Sequence, residues 1–365
     1  MKKLLSGVAL TCLALTFAST ASANEPCWPA TADNPLKGEM IVMSSGGSLA
    51  AAIDEALFNA FEKACGVDVQ QYTLANRSLD QVRTLIESGN FSFDMFLTFN
   101  GQRYPQLLDA GLLEKLPDDV WSGLEDIILP GTSSEYGILA APFTTAMIYN
   151  TEIFPDGINN WENFWDVDTF PGPRILRDNP DNVVFALLST GMANKDVYPI
   201  TDEKLDLAFE QLNKLRPHLR NFWTTGDQPV QGVGSGEFVA GTAWNGRAAK
   251  GLGQNMPIGV TWDGNQLTAS YWVVAKNAPN ARNAFAAMRF IQNAELQAGL
   301  ANAIGYAGPI KGMEKFISKD VYSMLASNSD NAAEASIVDV AWWSENEARL
   351  TEIWSKWVAT GVYER

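Results

Sequence analysis

The side chains able to do chemistry in this sequence gather where short apolar runs end. The runs 40–43 and 93–98 lead into Ser45-Gly46-Gly47-Ser48 and Phe99-Asn100-Gly101, so that Ser45, Gly46, Ser48, Thr98, Phe99 and Asn100 offer hydroxyls, an amide and open backbone. Such groups hydrogen-bond a small polar ligand, and a Ser-Gly-Gly-Ser loop at a helix start can also hold an anion through backbone N–H groups. The run 239–243 ends in Trp244-Asn245-Gly246-Arg247, which pairs an aromatic face with a guanidinium. Arg247 suits bidentate contact with a carboxylate or phosphonate, or an ordinary surface ion pair with one of the many acids. The run 174–177 delivers Asp178 into Asn179-Pro180-Asp181. Thr144 and Thr145 interrupt the long apolar run 138–150, Ser270 and Tyr271 interrupt 267–274, and Trp343 lies in a Trp-rich tail.

Several reaction classes find no support. His218 is the one histidine and follows Pro217 at an expected helix end, so a Ser-His-Asp or Cys-His arrangement has no second candidate. No His/Cys group has metal-ligand spacing, no Walker loop is present, and no cofactor is expected. Glycines 232, 234 and 236 follow a polar loop rather than a strand and read as a turn before a short helix. The 42 acids give many chance carboxylate pairs, so a secreted carboxylate-dependent hydrolase remains the rival from another class. The formal charge of −16 argues against nucleic acid as a partner.

Positioning these residues falls to an α/β chain with an export signal. Lys2 and Lys3, an apolar segment 4–17 and Ala21-Ser22-Ala23 make residues 1–23 a secretory signal peptide, which places the mature protein in the periplasm. Cys27 and Cys65 remain after cleavage, and an oxidising compartment favours a bridge between them. The mature length suggests two domains. Strands and helices alternate over 40–110 and again over 174–216, which argues for parallel sheets covered by helices, with ligands at the carboxyl ends of the strands.

The order of 138–150, Gly236-Glu237 with Trp244-Asn245-Gly246, 267–274, and Ile304-Gly305-Tyr306 with Pro309 resembles the solute-binding proteins of ABC importers, most closely the spermidine/putrescine-binding branch. The resemblance covers nearly all of the mature chain. It implies an α/β fold of two lobes, periplasmic-binding-protein-like (type II), each a mixed, mainly parallel sheet with helices on both faces, joined by two hinge crossings. The implied layout is an N-terminal tail at 24–37, a first lobe at 38–143 and 269–320, a second at 144–268, and helices of 321–365 packing across both. It implies a monomeric receptor without enzymatic activity. A small-molecule ligand and the membrane permease of the importer are its partners. The ligand is first a polyamine or related amine and alternatively an amino-acid-like, carboxylate or phosphonate solute held by Arg247. This chain departs from the polyamine pattern at Ser270, where the branch carries an acid, and at Asp178, where the spacing shifts by one residue.

An ammonium over the Trp244 face would gain roughly 0.5–2 kcal/mol. Trp244→Ala is therefore expected to abolish ligand binding in calorimetry while circular dichroism stays that of the folded protein.

Overall fold

The computed structural model describes residues 27–31, 33–44, 46–74, 79–98 and 100–364. The expected signal peptide, Ser45, the polar loop 75–78 and Phe99 lie outside the described residues.

The strands are β1 (Glu39–Ser44), β2 (Asp68–Thr73), β3 (Met95–Leu97), β4 (Gly137–Asn150), β5 (Arg174–Arg177), β6 (Leu219–Trp223), β7 (Ala240–Trp244), β8 (Ile258–Val274) and β9 (Ala335–Ile337). They hydrogen-bond in the order β2-β1-β3-β8-β4-β7-β5-β6, with β9 alongside β8. Parallel pairs β1–β2 and β1–β3 stand at one end and β5–β6 and β5–β7 at the other. Between them β4 and β8 run antiparallel to each other over most of their length.

Side chains alternate across a strand, so a strand covered on both faces feeds two cores. On the β1 side, Met40, Val42, Met95, Leu97 and Trp272 enter one cluster, while Met43, Phe96 and Val273 enter another on the opposite face. On the β5 side, Met147, Leu176 and Ala240 pack with Trp161, Phe185 and Phe209, while Ile148, Ile175 and Ala243 pack with Trp223 and Phe238. The chain therefore folds as two α/β lobes that share β4 and β8.

Local signals place many of the covering helices. Thr201 caps the helix Asp202–Leu215 by accepting from Lys204 N, and Asp202 and Glu203 occupy its first turn, where the helix dipole favours negative charge. The C-terminal helix Val340–Thr360 starts at Asp339, which accepts from Trp342 N, and ends at Gly361 in the left-handed region. Its Trp343, Leu350, Ile353, Trp354 and Trp357 complete the second lobe's core.

Two expectations change. The 232–236 turn is mostly helix, Asp227–Gly234, and Gly232 lies so close to the Phe238 ring that a Cβ there would be 2.5 Å from it. The second crossing begins at Ile258 rather than 267, its first half being masked in sequence by polar residues such as Asp263, Asn265 and Gln266.

Cys27 and Cys65 form a disulfide across 38 residues, tying the tail to the end of the helix Asn59–Cys65. Arg282 clamps the same tail through the carbonyls of Pro29, Asn34 and Pro35. Replacing both cysteines by serine should lower the unfolding free energy by about 2–4 kcal/mol in urea titrations, most of it through the freed denatured chain.

Candidate functional site

The crossings build the floor of a cleft between the lobes. Phe143 faces Thr268 and Thr145 faces Gln266 in the β4–β8 register, and all four line the cleft. Their spacing of two residues on each strand puts them on one face. Asn100 and Gln102 add a wall from the first lobe, and Arg177, Asn179, Pro180, Asp181 and Trp244 add one from the second. Val338, Trp343, Glu347 and Thr351 close the end. The empty space between these residues is about 620 Å³, open solvent included.

The second-lobe wall carries the charge. Arg177 is the last residue of β5, and its Nη1 lies 2.9 Å from Asp181 Oδ2. The guanidinium carbon stands 5.2 Å from the Trp244 ring centroid and 5.7 Å from that of Trp223. The two indoles meet edge to face at 5.1 Å. Gly226 permits this approach, since a Cβ there would lie 2.7 Å from Trp244 Cε3 and 2.8 Å from Arg247 Nε. Burial pushes the Asp181 carboxyl up from its ordinary value, and Arg177 opposes that rise. Asp181 Oδ1 and Trp244 Nε1 are buried without hydrogen-bond partners among the described residues. Leaving buried polar atoms unpaired costs about 1–3 kcal/mol each. A ligand that supplies a donor to Asp181 and an acceptor to Trp244 removes that cost.

At the cleft end, Trp343 Nε1 donates to Tyr198 Oη at 2.7 Å. Burial pushes the Tyr198 hydroxyl up, with the Trp343 hydrogen bond acting in the opposite sense. Adjacent Trp342 leans on Tyr198 with ring centroids 5.8 Å apart, so the two neighbouring indoles meet the same tyrosine.

Of the residues singled out from sequence, Asn100, Thr145, Trp244 and Trp343 line this cleft. Thr144 is fully buried, its Oγ1 hydrogen-bonded at 2.5 Å to Asn265 Oδ1 and its N–H donating to Asn245 Oδ1. Asn245 also donates to the carbonyls of Gly305 and Met324 and so pins β7's end to the tail. Thr98 Oγ1 donates to the Asn100 carbonyl and accepts from Tyr271 N, and Tyr271 stacks on Tyr104 at 4.6 Å, away from the cleft. Ser270 is buried, its hydroxyl unpaired among the described residues, and does not line the cleft. Gly46 holds φ +66 against Thr73, and Ser48 meets Arg247 and Asp227 rather than the cavity. Asp178 is exposed and accepts from Trp354 Nε1 at 2.8 Å.

The sequence reading missed Arg177 and Asp181. The signal was present in Arg177-Asp178-Asn179-Pro180-Asp181, where an arginine and an acid four residues apart flank a strand exit. Cleft residues on the crossings could likewise have been read as alternate positions, 143 with 145 and 266 with 268. Among the described residues no group of three or more His, Cys, Asp and Glu could hold a metal ion, and no helix is long and apolar enough to cross a membrane.

Comparison with known proteins places this geometry in a family. Residues 56–328 match the family model described as bacterial extracellular solute-binding protein. The chain is 29% identical over 326 residues to the gamma-aminobutyric acid-binding protein of Pseudomonas aeruginosa, covering 88% of this chain and 91% of that protein. It is 23% identical to the spermidine/putrescine-binding periplasmic protein of Escherichia coli, over 62% of this chain and 63% of that one. Among solved structures, the periplasmic binding protein MotA of A. tumefaciens B6 in complex with glucopine superposes with a TM-score of 0.77, at 26% identity, over 87% of this chain and 99% of that one.

The adjacent threonines should separate in their effects. Thr144→Val removes the partner of buried Asn265 and is expected to cost about 1–3 kcal/mol of stability in urea unfolding. Thr145→Val, whose side chain faces the cleft, should cost less than Thr144→Val in the same titration.

Proposed function

The chain belongs to the bacterial extracellular solute-binding proteins, and from that premise we propose that its ligand is a small zwitterion bearing an amine and a carboxylate on a short apolar body. The protein captures solute between its lobes for delivery to the permease of an ABC importer. It works in the periplasm as a monomer, after loss of residues 1–23, and performs no chemistry on what it carries.

One observation carries the choice of ligand: the cleft wall presents a cation and an incompletely paired carboxylate side by side. Arg177, with a planar fork of donors, and the free Trp244 Nε1–H suit a carboxylate. Asp181 Oδ1 suits an ammonium. Phe143, Trp244 and Trp343 supply apolar surface for the chain between them. Arg247, the sequence candidate for this anchor, instead contacts Ser48 and Asp227. The relative named for gamma-aminobutyric acid, matched over most of both chains, supports the same chemistry.

A polyamine is the second reading. Glu347 adds another carboxylate to the cleft, and relatives named for spermidine and putrescine support an amine ligand. Against a dication stands Arg177, whose like charge disfavours a second ammonium in the same wall.

Calorimetric titration with γ-aminobutyrate, 5-aminovalerate, putrescine and spermidine separates the readings. The zwitterions are expected to bind and the diamines to bind weakly. Arg177→Met should weaken the zwitterions by at least about 30-fold, the loss for truncating a buried charge partner being about 2–5 kcal/mol. Tight putrescine binding that survives Arg177→Met would establish the amine reading instead.

A further inference from the structure

Besides the Asn245–Gly305 hydrogen bond, two side-chain contacts to charged groups join the lobes, one of them at the edge of the ligand cleft. The first is at Ser48, in the opening turn of the first-lobe helix Gly47–Ile53. Arg247 Nη1 donates to Ser48 Oγ at 2.6 Å, and Ser48 Oγ lies 3.3 and 3.4 Å from the two oxygens of Asp227. Arg247 Nε stands 3.7 Å from the same carboxylate. Asp227 and Arg247 sit in the first turns of the second-lobe helices Asp227–Gly234 and Asn245–Gly253. Arg247 has a side chain only 5% exposed, and its Nε, though near Asp227, has no hydrogen-bond partner among the described residues.

The second contact is at Glu347 on the C-terminal helix, whose apolar side is part of the second lobe's core. Glu347 Oε1 accepts from Arg103 Nη2 at 3.3 Å and Oε2 accepts from Gln106 Nε2 at 3.3 Å. Arg103 and Gln106 belong to the first-lobe helix Arg103–Asp109. Each contact thus brings one lobe's side chains onto a charged group of the other. Ser48, Asp227, Arg247, Arg103 and Gln106 are absent from the cleft lining, whereas Glu347 touches both cleft and contact.

We propose that these two polar clasps hold the lobes together independently of the ligand, making Ser48 and Arg103 positioning residues that set how readily the cleft opens. The inference concerns closure and does not depend on the ligand assigned above. A contact present only when the lobes meet shifts the open–closed equilibrium without differential contact to the ligand. Apparent affinity scales with the closed fraction, so losing a clasp weakens every ligand by the same factor. A direct ligand role for Arg247 predicts the opposite pattern, in which carboxylates are lost and amines retained. Because Asp227 and Glu347 keep contact with solvent, salt screens both clasps.

The test is small-angle scattering on the mature protein without added ligand, comparing wild type, Ser48→Ala and Arg103→Met at low salt and at about 1 M salt. Thermal unfolding of each variant confirms that it is folded. The radius of gyration is expected to rise in both variants at low salt, and to rise in wild type as salt is added. Calorimetry with γ-aminobutyrate and putrescine gives the second readout: whichever binds should weaken by the same factor in Ser48→Ala, about tenfold if the closed fraction falls tenfold. Radii that match wild type at every salt concentration overturn the proposal, as does a loss confined to the carboxylated ligand.

Discussion

The pairing of β4 with β8 is the constraint on which the rest of the structure depends. The strands of 14 and 17 residues are antiparallel neighbours, and each contributes to both lobes. Their register slips between Thr145 and Met147, where β8 passes from Gln266 to Thr261. The extra residues bulge, which bends the pair where it passes from one lobe to the other. Asn265 leaves the ladder there and engages Thr144 Oγ1 while its own Nδ2 donates to the carbonyls of Trp262 and Asn331. A pair of long strands thus supplies core residues to each lobe, a floor to the cleft and a buried polar fastening at the bend. A one-residue slip of β8 against β4 would turn Gln266 and Thr268 away from the cleft together.

On that floor stands a second-lobe wall in which charge and aromatic surface are combined. Arg177 is held over two indoles and paired with Asp181, so the wall keeps a cation partly withdrawn from water in an otherwise acidic protein. Buried ion pairs contribute little net stability, because desolvation offsets attraction. Arg177 and Asp181 fit better as groups kept ready for exchange, each able to replace the other by a ligand's opposite charge. On the proposed reading, Trp244 Nε1 and Asp181 Oδ1, unpaired among the described residues, are the atoms at which that exchange would gain hydrogen bonds.

Much of the fold was legible because its signals are local. Thr201 before Asp202 and Glu203, the long apolar run 138–150 and the pair Cys27 and Cys65 in an exported chain each point to what forms. The cleft was legible in outline, since strand exits carry Asn100 and Trp244 and the crossing carries Thr145. What escaped depends on direction and distance. Asp178 and Asp181 flank the same turn, yet one points to Trp354 and the other to Arg177. Tyr271 shares β8 with Gln266 and Thr268 but has the opposite parity, so it stacks on Tyr104. Arg247 follows the cleft's tryptophan by three residues, and only the apposition of the lobes sends it to Ser48.

A crystal structure of the mature protein with γ-aminobutyrate would locate both ends of the ligand. The carboxylate is expected within hydrogen-bond distance of Arg177 and Trp244 Nε1, and the ammonium on Asp181. A carboxylate found on Arg247, with Arg177 still paired to Asp181, would contradict that placement.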